Sequence, residues 1–359
     1  MLITEHPARG EHELLVVAGD DEANYRGVVA VHSTALGPAV GGTRFWSYAS
    51  EDEAIADALR LARGMTYKNA LAGLPFGGGK SVVVGDNRTA ERERLFRAHG
   101  RVVESLGGRY ITAEDVGTSP ADMEHVRRET RHVAGLAGGA GDPSPLTARG
   151  VLRAMQAAAR HRWGSDDLRG RRVALQGCGH VGQHLARELA AAGARLIVAD
   201  TDGARAARVA EEVGAARVEP GEIFDAEADV FAPCALGGVI DDETIARLRA
   251  EIVAGAANNQ LLEPRHGEAL ERRGITYAPD YAANAGGVIY GTGIELLGWT
   301  RDEGLRKVEE IYDTVLGILR EARAAGLTAQ EAADRVAEER LRAAARRGAA
   351  RGTPGGAPA

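Results

Sequence analysis

Two lysines and one aspartate occupy places where such side chains are seldom idle. Ile55, Leu59, Ala62 and Met65 recur at three- and four-residue spacing, which predicts a helix with one buried face, and Lys68 follows it. Lys80 stands directly after Gly77-Gly78-Gly79, at the mouth of an expected glycine turn running from Gly73 to Gly79. Such a turn lets backbone and ligand approach closely. A solvated, structural lysine is the alternative. Asp115 lies in Thr112-Ala113-Glu114-Asp115-Val116-Gly117, after a predicted strand, a loop position suited to an acid that moves protons. Its other possible role is to cap the next helix, which Ser119 or Asp122 could do equally well. This set suits a substrate that carries its own carboxylate. One lysine pairs with that carboxylate, and its field, with desolvation, fits the other for proton transfer.

A second constellation lies further along. Gly177-Cys178-Gly179-His180-Val181-Gly182 is a G-x-G-x-x-G sequence after the predicted strand 171–176 and before an amphipathic helix. The first glycine permits the tight turn and the second the approach of a pyrophosphate. The third lets helix and strand pack closely, and the helix N-terminus supplies amides and a positive dipole end. The next predicted strand ends at Asp200, where an acid accepts from a ribose 2′-hydroxyl. This favours NAD over NADP: a 2′-phosphate would face Asp200 and Asp202 with no arginine directly beside them, although Arg205 is near. Cys178 and His180 sit at variable positions of the loop, His180 near the phosphates. Beside a nicotinamide, the lysines and Asp115 indicate oxidation of a carboxylate-bearing substrate.

The elements that must carry these residues form two sets. Strands are predicted at 13–17 and 27–33, followed by a turn at Gly41-Gly42-Thr43-Arg44. Ser50 caps the next helix, with Glu53 completing a capping box. A strand at 81–84, a helix at 91–106 and a strand at 109–112 follow. Glycines and prolines cluster at 135–146, the expected inter-domain connection. After a helix at 147–161, strands at 171–176, 196–199, 230–232, 252–254 and 276–278 alternate with helices, the pattern of a parallel sheet wrapped on both faces. Residues 302–347 read as helical, with Val308, Ile311, Val315, Ile318 and Leu319 on one face. The expected organisation is a mixed α/β substrate-binding domain over 1–134 and a Rossmann-type domain over 135–330. A C-terminal helix over 331–347 and a flexible tail over 348–359 complete it.

Composition sets the bounds. A chain of 359 residues suggests two domains at about 150 residues each. With 44% hydrophobic and 26% charged residues it is a folded globular chain. Forty-four basic against fifty-one acidic residues leave no global field for nucleic acid. No stretch approaches the roughly 18 apolar residues of a membrane span, and the N-terminus does not read as a signal peptide. Two cysteines, Cys178 and Cys234, build neither a disulfide framework nor a zinc site. The balance points to a cytoplasmic, metal-independent protein.

Several motifs together resemble the glutamate, leucine, phenylalanine and valine dehydrogenase family, nearest to its leucine and phenylalanine enzymes. They are Gly41-Gly42-Thr43-Arg44, Met65-Thr66-Tyr67-Lys68-Asn69-Ala70, Gly77-Gly78-Gly79-Lys80 and Thr112-Ala113-Glu114-Asp115, then Pro233-Cys234-Ala235-Leu236-Gly237-Gly238, Ala256-Ala257-Asn258-Asn259 and Asn284-Ala285-Gly286-Gly287. The resemblance runs in order along nearly the whole chain. It implies reversible oxidative deamination of an L-amino acid to its 2-oxo acid and ammonia, with hydride passed to NAD. It also implies a homo-oligomer, and an active-site cleft between two domains that close to exclude water. By the same resemblance Lys68 and the Gly41-Gly42 backbone bind the substrate carboxylate. Lys80 is the general base that activates water, and Asp115 shuttles a proton at the amino nitrogen. Asn259 contacts substrate, and Asn258, Ala235 and Thr147 contact the cofactor, Thr147 at the carboxamide.

The residue before the paired glycines indicates which amino acid. Family members that act on glutamate carry a lysine there; here it is Val40, and an unpaired side-chain carboxylate would cost several kcal/mol to bury. The implied side-chain contacts, Val40, Ala113, Val288 and Gly291, are small and apolar. Leucine and other branched chains are the expected substrates. Gly291 stands where a branched residue is usual, which opens room for phenylalanine or tryptophan as the alternative. Two other readings compete. A hydroxy-acid dehydrogenase normally uses a histidine base, and none lies beside the lysine motifs. An idle NAD-binding sensor has no chemical need for Lys68, Lys80 and Asp115 together.

Overall fold

The structure, a computed structural model, describes residues 1–351, with side chains through Arg347. The chain divides into two compact units. The first comprises Met1–Gly141, Ile294–Gly298 and the last helix from Ala337 onward; the second comprises Asp142–Gly293 and Trp299–Val336. Among the described residues no helix is long and apolar enough to cross a membrane.

The first unit is built on strands β1 (Leu2–Glu5), β2 (Leu14–Asp20), β3 (Tyr25–Ser33) and β4 (Ala39–Trp46), helix α1 (Glu51–Leu71), strand β5 (Gly77–Val84), helix α2 (Arg92–Ser105), strand β6 (Tyr110–Glu114) and helix α3 (Pro120–Arg127). The strands form one sheet in the order β1-β2-β3-β5-β4-β6. β1, β2, β3 and β5 pair antiparallel, whereas β4 runs parallel to both β5 and β6. Because side chains alternate across a strand, the sheet supplies two cores. Leu15, Val28, Ala30 and Val82 pack with Ala54, Ile55, Ala58 and Ala62 of α1. Val29, Phe45, Val83 and Tyr110 pack on the other face with Phe96, Val102 and Met123 of α2 and α3.

Two expected glycine turns prove to be strands. Gly41-Gly42-Thr43-Arg44 lies inside β4, between β5 and β6, and Gly77-Gly78-Gly79 opens β5. These glycines serve close approach rather than turning. A Cβ on Gly41 would lie 1.8 Å from the Gly79 carbonyl oxygen, and one on Gly78 would lie 2.0 Å from the Thr66 nitrogen of α1. Lys80 is accordingly a mid-strand residue. Lys68 lies within the last turn of α1 and not after it. The expected capping box at Ser50 is half made: Ser50 Oγ accepts from the Glu53 amide at 3.2 Å, but the Glu53 carboxylate takes the Ala49 amide at 2.9 Å.

The second unit comprises α4 (Ser144–Trp163), β7 (Arg172–Gln176), α5 (His180–Ala191), β8 (Arg195–Ala199), α6 (Gly203–Val213), β9 (Ala216–Arg217), β10 (Val230–Pro233), α7 (Asp242–Arg247), β11 (Ile252–Val253), α8 (Arg265–Arg272), β12 (Thr276–Tyr277), α9 (Asp280–Ala283), most of α10 (Gly286–Leu297), α11 (Arg301–Glu309), α12 (Ile311–Ala325) and the start of α13 (Ala329–Arg351). Its sheet is wholly parallel, in the order β12-β11-β10-β7-β8-β9. β7 is central, so the glycine sequence after it lies at the carboxyl end of a buried strand, where such sheets bind ligands. The helical stretch expected over 302–347 is three helices. Val308, Ile311, Val315, Ile318 and Leu319 are buried, and Gly326 ends α12 at φ +65°. α13 continues through Arg351, past the position where a tail was expected; residues 352–359 lie outside those described.

The last helix also serves the first unit. Arg340 donates to the carbonyls of Ala70 and Leu71 at 2.6 and 2.8 Å, and Tyr67 donates to Glu338 at 3.2 Å. A guanidinium thereby satisfies the open carbonyls at the end of α1, the turn that presents Lys68.

Candidate active site

In the first unit the site residues converge on the α1 face of the sheet. Lys80, on β5, points to the same face as Val82, and Val40 and Ala113 occupy that face of β4 and β6 by strand alternation. Lys80 is buried, and its Nζ donates to Asp115 Oδ2 at 2.6 Å. Asp115 sits in the turn after β6. Its amide donates to Thr118 Oγ1 at 2.8 Å, and Thr118 reaches the Thr43 carbonyl at 3.0 Å. Gly117 closes the turn at φ +82°, where a Cβ would strike the Phe45 carbonyl at 2.0 Å. Burial pushes the Asp115 carboxyl up, but the Lys80 ammonium and the Arg44 guanidinium outweigh it and hold it below the usual carboxylate range. Gly42 must be glycine here, because its Cβ would lie 2.7 Å from that of Asp115. Lys68 is half-buried.

Sequence reasoning missed Arg44. Its Nε lies 3.4 Å from Asp115 Oδ2, while Nη1 donates to Asp57 at 2.8 Å. Tyr48 donates to the same Asp57 oxygen at 2.7 Å, and Arg60 donates to the other oxygen at 2.7 Å. Lys80, Asp115, Arg44 and Asp57 thus alternate in sign. Arg44 was visible within its motif, but nothing local indicated that it reaches two carboxylates.

In the second unit the glycine loop has the form a pyrophosphate needs. Gly177 has φ +95°, and a Cβ there would lie 2.9 Å from that of Ala235; one on Gly182 would lie 2.0 Å from the Gly177 carbonyl oxygen. A Cβ on Gly179, at the N-terminus of α5, would meet nothing within 4 Å. This open space beside helix amides fits a dinucleotide, with His180 and Val181 in the first turn. Cys178 is buried, and burial pushes its thiol up to about 11, which makes it a poor nucleophile.

Asp200 has a structural role that was not expected. Its carboxylate accepts the Cys178 amide at 2.7 Å and the Asp202 amide at 2.8 Å, so it braces the glycine loop. The expectation of no arginine directly beside the acids is corrected. Arg205 lies 3.4 Å from Asp200 and 3.2 Å from Asp202, because the Asp202 cap places it on the first turn of α6.

The remaining residues of this unit fall into two groups. Thr147 donates to the Pro143 carbonyl at 3.0 Å, leaving its lone pairs to accept, and it abuts Gly287 of α10. Val288 and Gly291 lie one turn apart on α10, and a Cβ at Gly291 would meet nothing within 4 Å. Asn258 Oδ1 accepts from Asn284 Nδ2 at 2.8 Å. Asn259 is held at φ +52°, rare for a side-chain-bearing residue and a mark of a constrained site. Gln260 enforces it, donating to Gly255 and Ala257 at 2.9 and 3.0 Å and receiving its own support from Asp280 at 2.7 Å. Besides Asn284, which opens one of the motifs named above, Gln260 and Asp280 are supporting residues that sequence reasoning did not single out. Their one signal was polarity within apolar stretches.

The molecule thus sets a glycine loop of dinucleotide-binding form on a parallel sheet and a buried lysine–aspartate pair on a separate mixed sheet, an arrangement suited to a dehydrogenase. Residues 14–132 match the dimerisation domain of the Glu/Leu/Phe/Val dehydrogenases, and residues 138–215 and 200–348 match the Glutamate/Leucine/Phenylalanine/Valine dehydrogenase domain. The chain belongs to this family. It is 52% identical over 344 residues to the leucine dehydrogenase of Thermoactinomyces intermedius, covering 95% of this chain and 94% of that one. It is 49% identical over 342 residues to the valine dehydrogenase of Streptomyces coelicolor, covering 94% of each. The crystal structure of L-tryptophan dehydrogenase from Nostoc punctiforme superposes with a TM-score of 0.83 at 42% identity, covering 94% of this chain and 97% of that one.

Proposed function

We propose that the protein catalyses the NAD-dependent, reversible oxidative deamination of an apolar L-amino acid, with leucine and other branched chains first. The observation that carries this is the Lys80–Asp115 pair on the same face as buried Val40, with no cation at position 40 to meet a side-chain carboxylate. The likeness to leucine and valine dehydrogenases supports the branched-chain choice. Open space around Gly291 and the likeness to a tryptophan dehydrogenase favour an aromatic substrate as the second reading.

Lys68 holds the substrate carboxylate, with the Gly41-Gly42 backbone beside it. Asn259, Ala113, Val40, Val288 and Gly291 contact the rest of the substrate. The loop 177–182, Asp200, Ala235, Asn258 and Thr147 would hold NAD, which when bound would supply the hydride acceptor for the substrate Cα. Asp115 takes a proton from the substrate nitrogen and later returns one to it. Lys80, once its own proton has left, draws a proton from the water that attacks the imine carbon. The reading also includes a cytoplasmic homo-oligomer. The test is NADH formation at alkaline pH with L-leucine, L-valine, L-phenylalanine, L-tryptophan and L-glutamate. Turnover on leucine or valine supports the first choice, turnover on phenylalanine or tryptophan the second, and silence on all five with NAD still bound overturns both.

A further inference from the structure

Behind the lysine face of the first sheet lies a fully buried polar cluster that the proposed chemistry does not use. Thr43 of β4, Ser81 of β5 and Thr112 of β6 project to the α2 face, where Thr43 Oγ1 hydrogen-bonds with Ser81 Oγ at 2.7 Å and with Thr112 Oγ1. His99 of α2 meets them through Nε2, at 3.0 Å from Thr43 and 3.2 Å from Ser81. Its Nδ1 bonds with Tyr25 OH of β3 at 3.0 Å. Tyr110 of β6 donates to the Gly41 carbonyl at 2.6 Å and can accept from Ser81 Oγ at 3.1 Å. Burial lowers the His99 imidazole to about 4, so it stays neutral and can donate from one nitrogen while accepting at the other.

The placement of this cluster is its argument. Thr43 follows Gly42, Ser81 follows Lys80 and Thr112 precedes Ala113, so each strand carries a site residue on one face and a cluster residue beside it. Strand register is ordinarily fixed by side-chain packing, and glycine-rich strands hold it weakly. Gly41-Gly42 and Gly77-Gly78-Gly79 have no side chains with which to hold it. A one-residue slip of β5 would turn Lys80 into the core and Ser81 toward Asp115. We propose that the buried hydroxyl–imidazole cluster is a register clamp whose members, Thr43 above all, are positioning residues for Lys80 and the Gly41-Gly42 backbone. The inference rests on the function proposed above.

The test compares Thr43→Val, which keeps the shape and loses the hydroxyl, with Thr43→Ser, which keeps the hydroxyl. With the best amino acid of the panel, Thr43→Val is expected to lose roughly ten- to a hundredfold in kcat. Its KM for NAD should be unchanged, and amide hydrogen exchange should accelerate across 39–46 and 77–84. Thr43→Ser should restore kcat and protection. A Thr43→Val enzyme with wild-type kcat and wild-type protection overturns the clamp. Should Thr43→Val fail to fold, Tyr110→Phe, which keeps the ring and drops one hydroxyl, is judged by the same two readouts. A wild-type enzyme silent on every amino acid refutes the enzymatic reading instead. Hydrogen exchange then decides the clamp alone: accelerated exchange in Thr43→Val sustains it, and unchanged exchange overturns it.

Discussion

Lys80 and Asp115 form one buried hydrogen-bonded pair, Nζ to Oδ2 at 2.6 Å, with the Arg44 guanidinium 3.4 Å from the same oxygen. Two cations thus share one carboxylate, which keeps Asp115 ionised even though it is desolvated. Lys80→Ala removes the proposed base and takes from Asp115 its shorter cation contact, leaving the longer one to Arg44. Turnover should fall about a thousandfold, while NAD affinity by calorimetric titration stays near that of the wild type. Persistent NADH production in Lys80→Ala would remove Lys80 from the mechanism.

The same pair makes stability depend on pH in a definite direction. Asp115 and Asp122 both titrate below the usual range, Asp122 because Arg92 bonds both its oxygens at 2.7 Å against the upward push of burial. A depressed carboxyl contributes stability that is present above its unfolded value, about 3.9, and lost as pH falls through the lower folded value. Thermal unfolding should therefore show Tm dropping below about pH 4, and Asp122→Asn should make that acid limb shallower. Breaking the half-buried Arg92–Asp122 pair should cost about 1–3 kcal/mol at neutral pH. An acid limb unchanged by Asp122→Asn would show that the pair does not contribute to it.

Asp200 braces the glycine loop and is proposed to face the cofactor's 2′ position, two tasks that substitution can separate. Asp200→Ala removes both the acceptor for the Cys178 amide and the charge facing the 2′ position, whereas Asp200→Asn retains an acceptor and removes only the charge. With Arg205 already beside that position, Asp200→Asn should shift the ratio of kcat/KM for NAD over NADP toward NADP by about tenfold, the effect of roughly one charged hydrogen bond. An unchanged ratio would take Asp200 out of the cofactor site and leave it as a loop brace.

Most of this architecture was legible in the sequence because its signals are local. The strands of the second unit are runs of Val, Ile, Leu and Ala bounded by turns, and observed β7, β8 and β10 fall within a residue of the expected spans. Two segments read as turns, Gly41–Arg44 and Gly77–Gly79, fail for one reason. A glycine needed for close approach between strands looks the same in sequence as one needed for a turn. The dinucleotide loop and the lysine motifs could be found because the chemistry constrains contiguous residues. Arg44, Gln260 and the His99 cluster could not, since they act through contacts such as Thr43 to His99 that lie far apart along the chain. Arg205 was visible but misjudged, because its reach depends on where the Asp202 cap starts α6.

Gly291 is the residue proposed to decide between branched and aromatic substrates, and its two substitutions ask different questions. The residue is half-buried inside α10, one turn from Val288, with open space where a Cβ would be. Gly291→Ala should therefore stabilise the helix by about 0.5–1 kcal/mol, since alanine loses less backbone entropy and meets no clash. Gly291→Leu should fill the space. If the pocket extends there, kcat/KM for phenylalanine or tryptophan should fall about tenfold or more while that for valine is retained, the discrimination a few buried methylenes provide. Urea unfolding of Gly291→Ala checks the first outcome, and the amino acid panel run on Gly291→Leu checks the second. If Gly291→Leu left every ratio on the panel unchanged, Gly291 would lie outside the substrate pocket. Specificity would then rest with Val40, Ala113 and Val288.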